Sequence, residues 1–517
     1  MPSYLTPGVY IEEIPSGSAS LSAGLTAVAA FVGFTEKFPT DDPADPQGMR
    51  PRLVTSWTQY EALYGGFVQG AILPLSVYGY FNNGGGLAYI VRVPHVAPSQ
   101  TPGQLALPAV DRAVGQPLEI SSVGAADGMA VTVVSSTEPV EEGEQVPFEI
   151  TVTKNGAVVE SFSDLTLSTV EGAVNGKSAN ISVAVKVDVA ALADVTLAAL
   201  KTGTYAIVPA PPEPVEVKPK HFAGSESERT GINGLVIAEE VTMVMVPDLV
   251  TAARKEDGSV DLGMWKNVQT ALINHCEGVG NRLAVLDAPP GMNPQQIKEW
   301  RSDVAMYDSA YAALYYPWIE VDNPSGTGND LTIMCPPSGH VAGLWSRVDD
   351  TRGVWKAPAN EIVRGALSVE RNITKGEQSL LNPIGVNCIR PFGTRGIRVW
   401  GARTLSSDSD WTYINVRRLF NMIEDSIMSG TQFAVFEPND QKLWAGLSRT
   451  IGSFLRGLWR DGALFGATPE QAFFVKCDAE TNPPDSIDQG KVVVEVGIAP
   501  VKPAEFVIFR ISQLKAG

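Results

Sequence analysis

The stretch 241–316 decides the fold. It runs VTMVMV (Val241–Val246) into Pro247 and Asp248, LAVL (Leu283–Leu286) into Asp287 and Pro289-Pro290, then AALYY (Ala312–Tyr316). Each run is short, apolar on both faces and closed by turn residues, as expected of a fully buried strand. Leu262–Cys276 between the first two has the length and spacing of a helix. Asn293 caps a second helix, with Pro294 at its first position, running to about Asp308. A further strand is expected at Leu331–Met334. Strands alternating with helices at this spacing predict a largely parallel sheet covered by helices.

Upstream, TAVAAFVG (Thr26–Gly33) reads as another buried strand. Leu73–Phe81 reads as a helix broken by NNGGG (Asn82–Gly86), and YIVRV (Tyr89–Val93) resumes as a strand. Composition changes near residue 98. Between Asp111 and Lys220 there are 15 acidic and 7 basic residues, with no Trp, Cys or His. Strands are expected at Met129–Val134, Pro147–Thr153, Ala157–Phe162 and Ile181–Val187. Asn155-Gly156 between two of them is a hairpin signal, and PAPPEP (Pro209–Pro214) closes the stretch. This reads as a small, acidic, all-β insertion.

Downstream, one helix is expected from Ser409-Asp410 to Met428 and another from about Asn439 to Trp459. A strand at Ala472–Cys477 and a final hairpin of Lys491–Ile498 with Ala504–Ser512 follow. Residues 341–460 hold 16 basic and 11 acidic side chains. The net charge of −18 over 517 residues is therefore unevenly distributed. It excludes direct partnership with nucleic acid or an anionic membrane surface. No apolar run approaches the 18 or so residues of a membrane span, and acidic Glu12 and Glu13 precede the apolar stretch Leu25–Phe34, the wrong charge order for export. A cytoplasmic product is expected. Cys276, Cys335, Cys388 and Cys477 are too scattered for a CxxC motif and read as reduced thiols.

No motif carries catalytic chemistry. Gly172-Ala-Val-Asn-Gly176-Lys177-Ser178 has three residues between its glycines where a phosphate loop needs four, and reads as a polar hairpin turn. His95, His221, His275 and His340 form no metal-binding pair. A subtilisin-like order fits onto Asp287 and His340 only without the local signatures that position such groups, and no GxSxG elbow is present. No cofactor, metal or catalytic residue is expected.

Two features point to assembly instead. In the helix 439–459, Leu443, Leu447, Ile451, Phe454, Leu455 and Leu458 make a core stripe, and Arg449, Arg456 and Arg460 share another face. That face is either solvated or docked on an acidic partner. Both chain ends carry orphan apolar strands: Val9, Tyr10, Ile11 and Ile14 at one end, and Phe506, Val507, Ile508, Phe509 and Ile511 at the other. Such a strand packs in its own domain or completes a neighbour's sheet, and pairing of both ends with other subunits generates rings or filaments.

Several segments together resemble the contractile tail sheath family. They are PGVYIEEI (Pro7–Ile14) with Thr26–Gly33; PPSGHVAG (Pro336–Gly343) leading into DTRGVWKAPAN (Asp350–Asn360); LLNPIGVN (Leu380–Asn387); RVWGART (Arg398–Thr404); and YINVRRL (Tyr413–Leu419). The resemblance implies an α/β (α+β) sheath core with a helix-covered mixed sheet, an inserted small all-β domain, and extended N- and C-terminal arms. It divides the chain into an N-terminal arm (1–22), a first part of the core (23–97), an outward-facing β-rich insertion (98–222), a subtilisin-like but non-catalytic α/β domain (223–365), a C-terminal domain with a tube-facing helix (366–490), and a hairpin and arm (491–517). It implies hexameric rings stacked helically around an inner tube, with baseplate and terminal cap proteins as further partners and no enzymatic activity. The arms would add strands to neighbours, and the face of Arg449, Arg456 and Arg460 would meet the tube. The particle would assemble in the cytoplasm and leave by lysis. The modest insertion favours an injection system; a phage tail sheath is the alternative, and a serine-hydrolase-like enzyme the remote one.

Overall fold

A computed structural model describes residues 21–508, apart from short segments at 40, 69, 95–103, 112–113, 124–128, 142–143, 155, 190–194, 208–216 and 327–330. It divides into two compact units, one made of residues 1–93 with 218–517 and one of residues 94–217.

The larger unit is built on a nine-stranded mixed sheet. Six strands form its parallel centre, in the spatial order Leu87–Arg92, Val28–Gly33, Met243–Met245, Leu283–Asp287, Ala312–Tyr316, Val386–Pro391. Antiparallel strands close both edges: Arg52–Val54 at one, Ile397–Val399 and Glu361–Ile362 at the other. Val28–Gly33, Leu283–Asp287 and Ala312–Tyr316 are buried along their whole length. Helices on the two faces explain why they are apolar on both.

The expected strand at 331–334 exists as Thr332–Cys335 but stays out of this sheet. It pairs antiparallel with Ile319–Asp322 in a separate three-stranded sheet that Ser368–Val369 completes. The helix expected to reach Asp308 is α-helical only over Pro294–Glu299 and continues as a π-turn over Trp300–Ala305.

One crossing explains a motif. Helices Leu73–Asn83 and Ser338–Arg352 pack at glycines: a Cβ on Gly339 would sit 2.4 Å from the Ser76 carbonyl oxygen, and one on Gly343 2.2 Å from that of Tyr80. Only glycine allows backbones this close.

The unit 94–217 holds a four-stranded antiparallel sheet (Gly203–Ala206, Met129–Ser135, Phe148–Lys154, Ala157–Leu165, in spatial order) and a three-stranded one (Gln104–Leu107, Leu118–Ser122, Ile181–Val185). It has its own apolar core, including Val131, Ile150 and Ile120. The near-phosphate-loop residues are no hairpin turn: they pass through a short helix, Val170–Val174, whose Val170 and Val174 face that core.

Candidate assembly surfaces

The C-terminal ends of parallel strands are where an α/β fold builds a ligand site. Here those positions are spent on structure. Asp248, after Met243–Met245, is fully buried and accepts amide hydrogens from Phe34 (2.6 Å), Ile72 (2.5 Å) and Leu73 (3.3 Å). Asp287 accepts the Ser338 amide at 2.9 Å. Burial pushes each carboxyl up to about 7, while the donated hydrogens pull the other way. His340 lies under the helix crossing, where a Cβ on Gly79 would collide with its ring, and burial lowers it to about 4. Asp287 and His340 are thus both buried, and no group of three or more His, Cys, Asp or Glu side chains among the described residues is arranged to hold a metal ion.

The segment resembling a sheath signature at 413–419 is a joint. Arg418 pairs with Asp349 through two hydrogen bonds, 2.9 and 2.5 Å, both side chains being almost wholly buried, and donates to the Thr26 carbonyl at 2.7 Å. Arg417 stacks over Trp411 at 4.2 Å, and Asn415 donates to the Trp355 and Val501 carbonyls. These residues fasten the start of the described chain, the central domain and the C-terminal segment to one helix, Ile414–Gly430.

That helix shares a small core with the helix Gln441–Arg460, capped by Asp440, whose carboxylate accepts the Lys442 and Leu443 amides. Leu447, Ile451, Phe454, Leu455 and Leu458 are buried as the stripe predicts, while Leu443 is only half-buried and Trp444 and Thr450 are buried beside them. Arg449, Arg456 and Arg460 are all exposed, and none has an ion pair or hydrogen bond among the described residues.

The described residues nearest the two ends are rooted in the fold. Gly24 donates its amide to Ser426 at 2.9 Å. Glu505 accepts from Arg403 (2.9 and 2.5 Å), Asn382 (2.7 Å) and Tyr413 (3.2 Å). Burial opposes ionisation there, but the Arg403 and Asn382 hydrogen bonds hold Glu505 below its usual range. Immediately after it, Phe506, Val507 and Ile508 are 72%, 69% and 78% exposed and belong to no strand. Of the expected hairpin's second half, the described residues 504–508 are in no strand, and 509–512 lie outside the described residues. Its first half, Glu495–Ile498, pairs antiparallel with Phe473–Lys476 instead, since Phe473 and Ile498 both pack on the core of the two helices. Val9, Tyr10, Ile11, Ile14, Phe509 and Ile511 lie outside the described residues.

Residues 250–405 match the phage tail sheath protein central domain, and residues 406–513 match the phage tail sheath C-terminal domain, together just over half of the chain. The chain belongs to the contractile tail sheath family. A putative prophage major tail sheath protein of Pseudomonas aeruginosa (strain UCBPP-PA14) is 26% identical to this sheath chain over 255 residues, which is 48% of the chain and 62% of the relative. The chain thus spans less than two thirds of the length of that curated relative. Solved structures match over the whole length. A chain of the PVC extracellular contractile injection system sheath complex, in the contracted state, superposes with a TM-score of 0.58 at 25% identity, covering 100% of this chain and 99% of that one. A chain of the anti-feeding prophage baseplate, six-fold symmetrised, gives 0.57 at 26%, covering 99% of each. The family is structural, and the sheath chain has the family's mixed α/β architecture.

Proposed function

We propose that the chain is the subunit of a contractile sheath that polymerises as stacked rings around an inner tube and contracts to drive the tube through a target envelope. The end-to-end likeness to a contracted injection-system sheath carries this reading. We read it as an injection-system sheath, because that likeness extends through the insertion; a phage tail does the same mechanical work with the same fold. The likeness to a chain of a six-fold symmetrised baseplate favours hexameric rings and baseplate attachment. A terminal cap is inferred with them. Assembly in the cytoplasm and release by lysis are part of the same reading, as is the absence of enzymatic activity.

Residues 98–222 are read as the insertion between two parts of the sheath core. Arg449, Arg456 and Arg460 are assigned to an acidic inner tube, supported by their exposure and by the absence of an ion pair or hydrogen bond to them among the described residues. Phe506–Ile508 and the segments beyond, with the N-terminal arm, are assigned to strand addition on neighbours. The two-stranded ribbon Phe473–Lys476 with Glu495–Ile498, packed on the two helices, leaves edges to which further strands can add. During contraction the arms keep subunits connected while they rotate, and the free energy is stored at assembly behind a kinetic barrier. Negative-stain microscopy of the purified chain with its tube protein tests the reading: hollow tubes with a helical repeat are expected, and a chain that stays monomeric overturns it.

A further inference from the structure

Helix Ile414–Gly430 receives the chain from both of its ends. The C-terminal segment comes to the start of the helix. The Val501 carbonyl accepts from Asn415 Nδ2 at 3.1 Å, and the Glu505 carboxylate accepts from Arg403 and from Tyr413, the residue just before the helix. Arg403 is itself bound there: it forms an antiparallel bridge with Tyr413, and the Ile414 amide donates to the Ala402 carbonyl at 3.0 Å. Beyond Glu505, the exposed Phe506–Ile508 lead away.

The N-terminal segment follows the same helix to its other end. The Thr26 carbonyl accepts from Arg418 at 2.7 Å, and the Gly24 amide donates to Ser426 Oγ at 2.9 Å. Leu21 lies against Gly430, where an added Cβ would sit 1.6 Å from the leucine Cδ2. Ser426 is 2% exposed, so its bond to Gly24 is shielded from water. The two arms therefore depart from opposite ends of a single helix. At 1.5 Å per residue, Tyr413 and Ser426 stand about 20 Å apart along it.

The helix holds that distance firmly. Ile414, Leu419, Met422 and Ile423 are buried along its length, and the buried Arg418–Asp349 pair pins it between the two roots. Rigid, packed elements of this kind carry coupling between sites this far apart. We infer that helix Ile414–Gly430 is a tie between the two arms, with Ser426 and Glu505 as the positioning residues at its ends. A pull on one arm passes along the helix to the other arm of the same subunit. On the sheath reading, on which this inference rests, the pull then reaches the next copy.

The test uses the full-length chain assembled on its tube protein. S426A removes one root and E505Q takes the charge from the other, while the arm strands themselves are untouched. Contraction is triggered with urea, and sheaths are scored by electron microscopy as extended, contracted or partly contracted. Wild-type sheaths are expected to be of the first two kinds. Each variant is expected to form tubes and to raise the partly contracted fraction about tenfold, the scale of one lost coupling between sites. The double variant is expected to match the single ones, because a tie cut at one end transmits nothing. Roots that serve only their own arms would instead multiply, to about 100-fold in the double variant. That multiplication, an unchanged fraction in either single variant, or a single variant without tubes overturns the inference. A second measurement reads the monomer, spin-labelled through S22C and I508C in a C477S background. One narrow distance is expected in the wild type, broadened by either S426A or E505Q; a broad wild-type distribution also overturns the inference. A wild type that never assembles defeats the sheath reading itself, and the monomer distance still reports on the tie.

Discussion

Asp248 and Asp287 on one side, and Arg449, Arg456 and Arg460 on the other, are charges used in opposite ways. The aspartates end neighbouring parallel strands, are buried, and accept amide hydrogens from distant parts of the same chain. The arginines line one exposed helix face and make no ion pair or hydrogen bond among the described residues, although Arg456 lies near enough to Glu470 to favour its ionised form. The first set holds the subunit together; the second is available to something outside it. Phe506–Ile508 belong with the arginines, since Glu505 just before them is tied down by Arg403 and they are not.

The contrast breaks most visibly through assembly. Deleting residues 506–517 spares Glu505, so the monomer is expected to melt as the wild type does while tube formation is lost. Normal tubes that still contract, seen by microscopy, would remove the arm from the outward-directed set. Reversing Arg449, Arg456 and Arg460 to glutamate together is expected to weaken co-sedimentation with the inner tube about 100-fold, with the monomer melting curve unmoved. Unchanged co-sedimentation would mean that the face is simply solvated.

Smaller effects sharpen the inward side. Asp248→Ala leaves the Phe34, Ile72 and Leu73 amides without an acceptor, and urea unfolding is expected to show a loss of about 3 kcal/mol or more. Asp287→Asn keeps an acceptor for Ser338 and changes only the titration. A carboxyl raised to about 7 in the folded state contributes stability that is present below its unfolded value near 4 and lost as pH rises through 7. The variant should therefore gain on the wild type between pH 4 and 7, on the order of 1 kcal/mol per pH unit. His340, lowered to about 4, acts in the opposite sense, its contribution being present above about 6.5 and lost as pH falls. His340→Gln should steepen the wild-type profile; parallel unfolding curves across pH 4–8 would show that both groups titrate in the fold as they do in the unfolded chain.

Much of the sheet was legible because its strands are apolar on both faces and its helices carry local signals. Asn293 with Pro294, and the stripe Leu447–Leu458, need only their own neighbours to be read. Cys335 and Ile498 were harder. Each sits in a strand whose partner is set by packing across the chain, and nothing in either segment tells a parallel neighbour from an antiparallel one. The buried Arg418–Asp349 pair left no signal at all, since it joins side chains 69 residues apart.

By itself, the sequence determined which segments are buried strands, which helix face is basic, and, through its ordered motifs, which family the chain resembles. These depend on side-chain chemistry and on periods of two and 3.6 residues, both local. Tertiary structure alone decided that Gly339 and Gly343 are demanded by a helix crossing, that Asp248 and Asp287 are sealed into the fold, and that Arg417 and Arg418 are consumed by it while Arg449, Arg456 and Arg460 are not. An arginine looks the same in any sequence; whether its charge is spent depends on what the rest of the chain brings within about 4 Å of it.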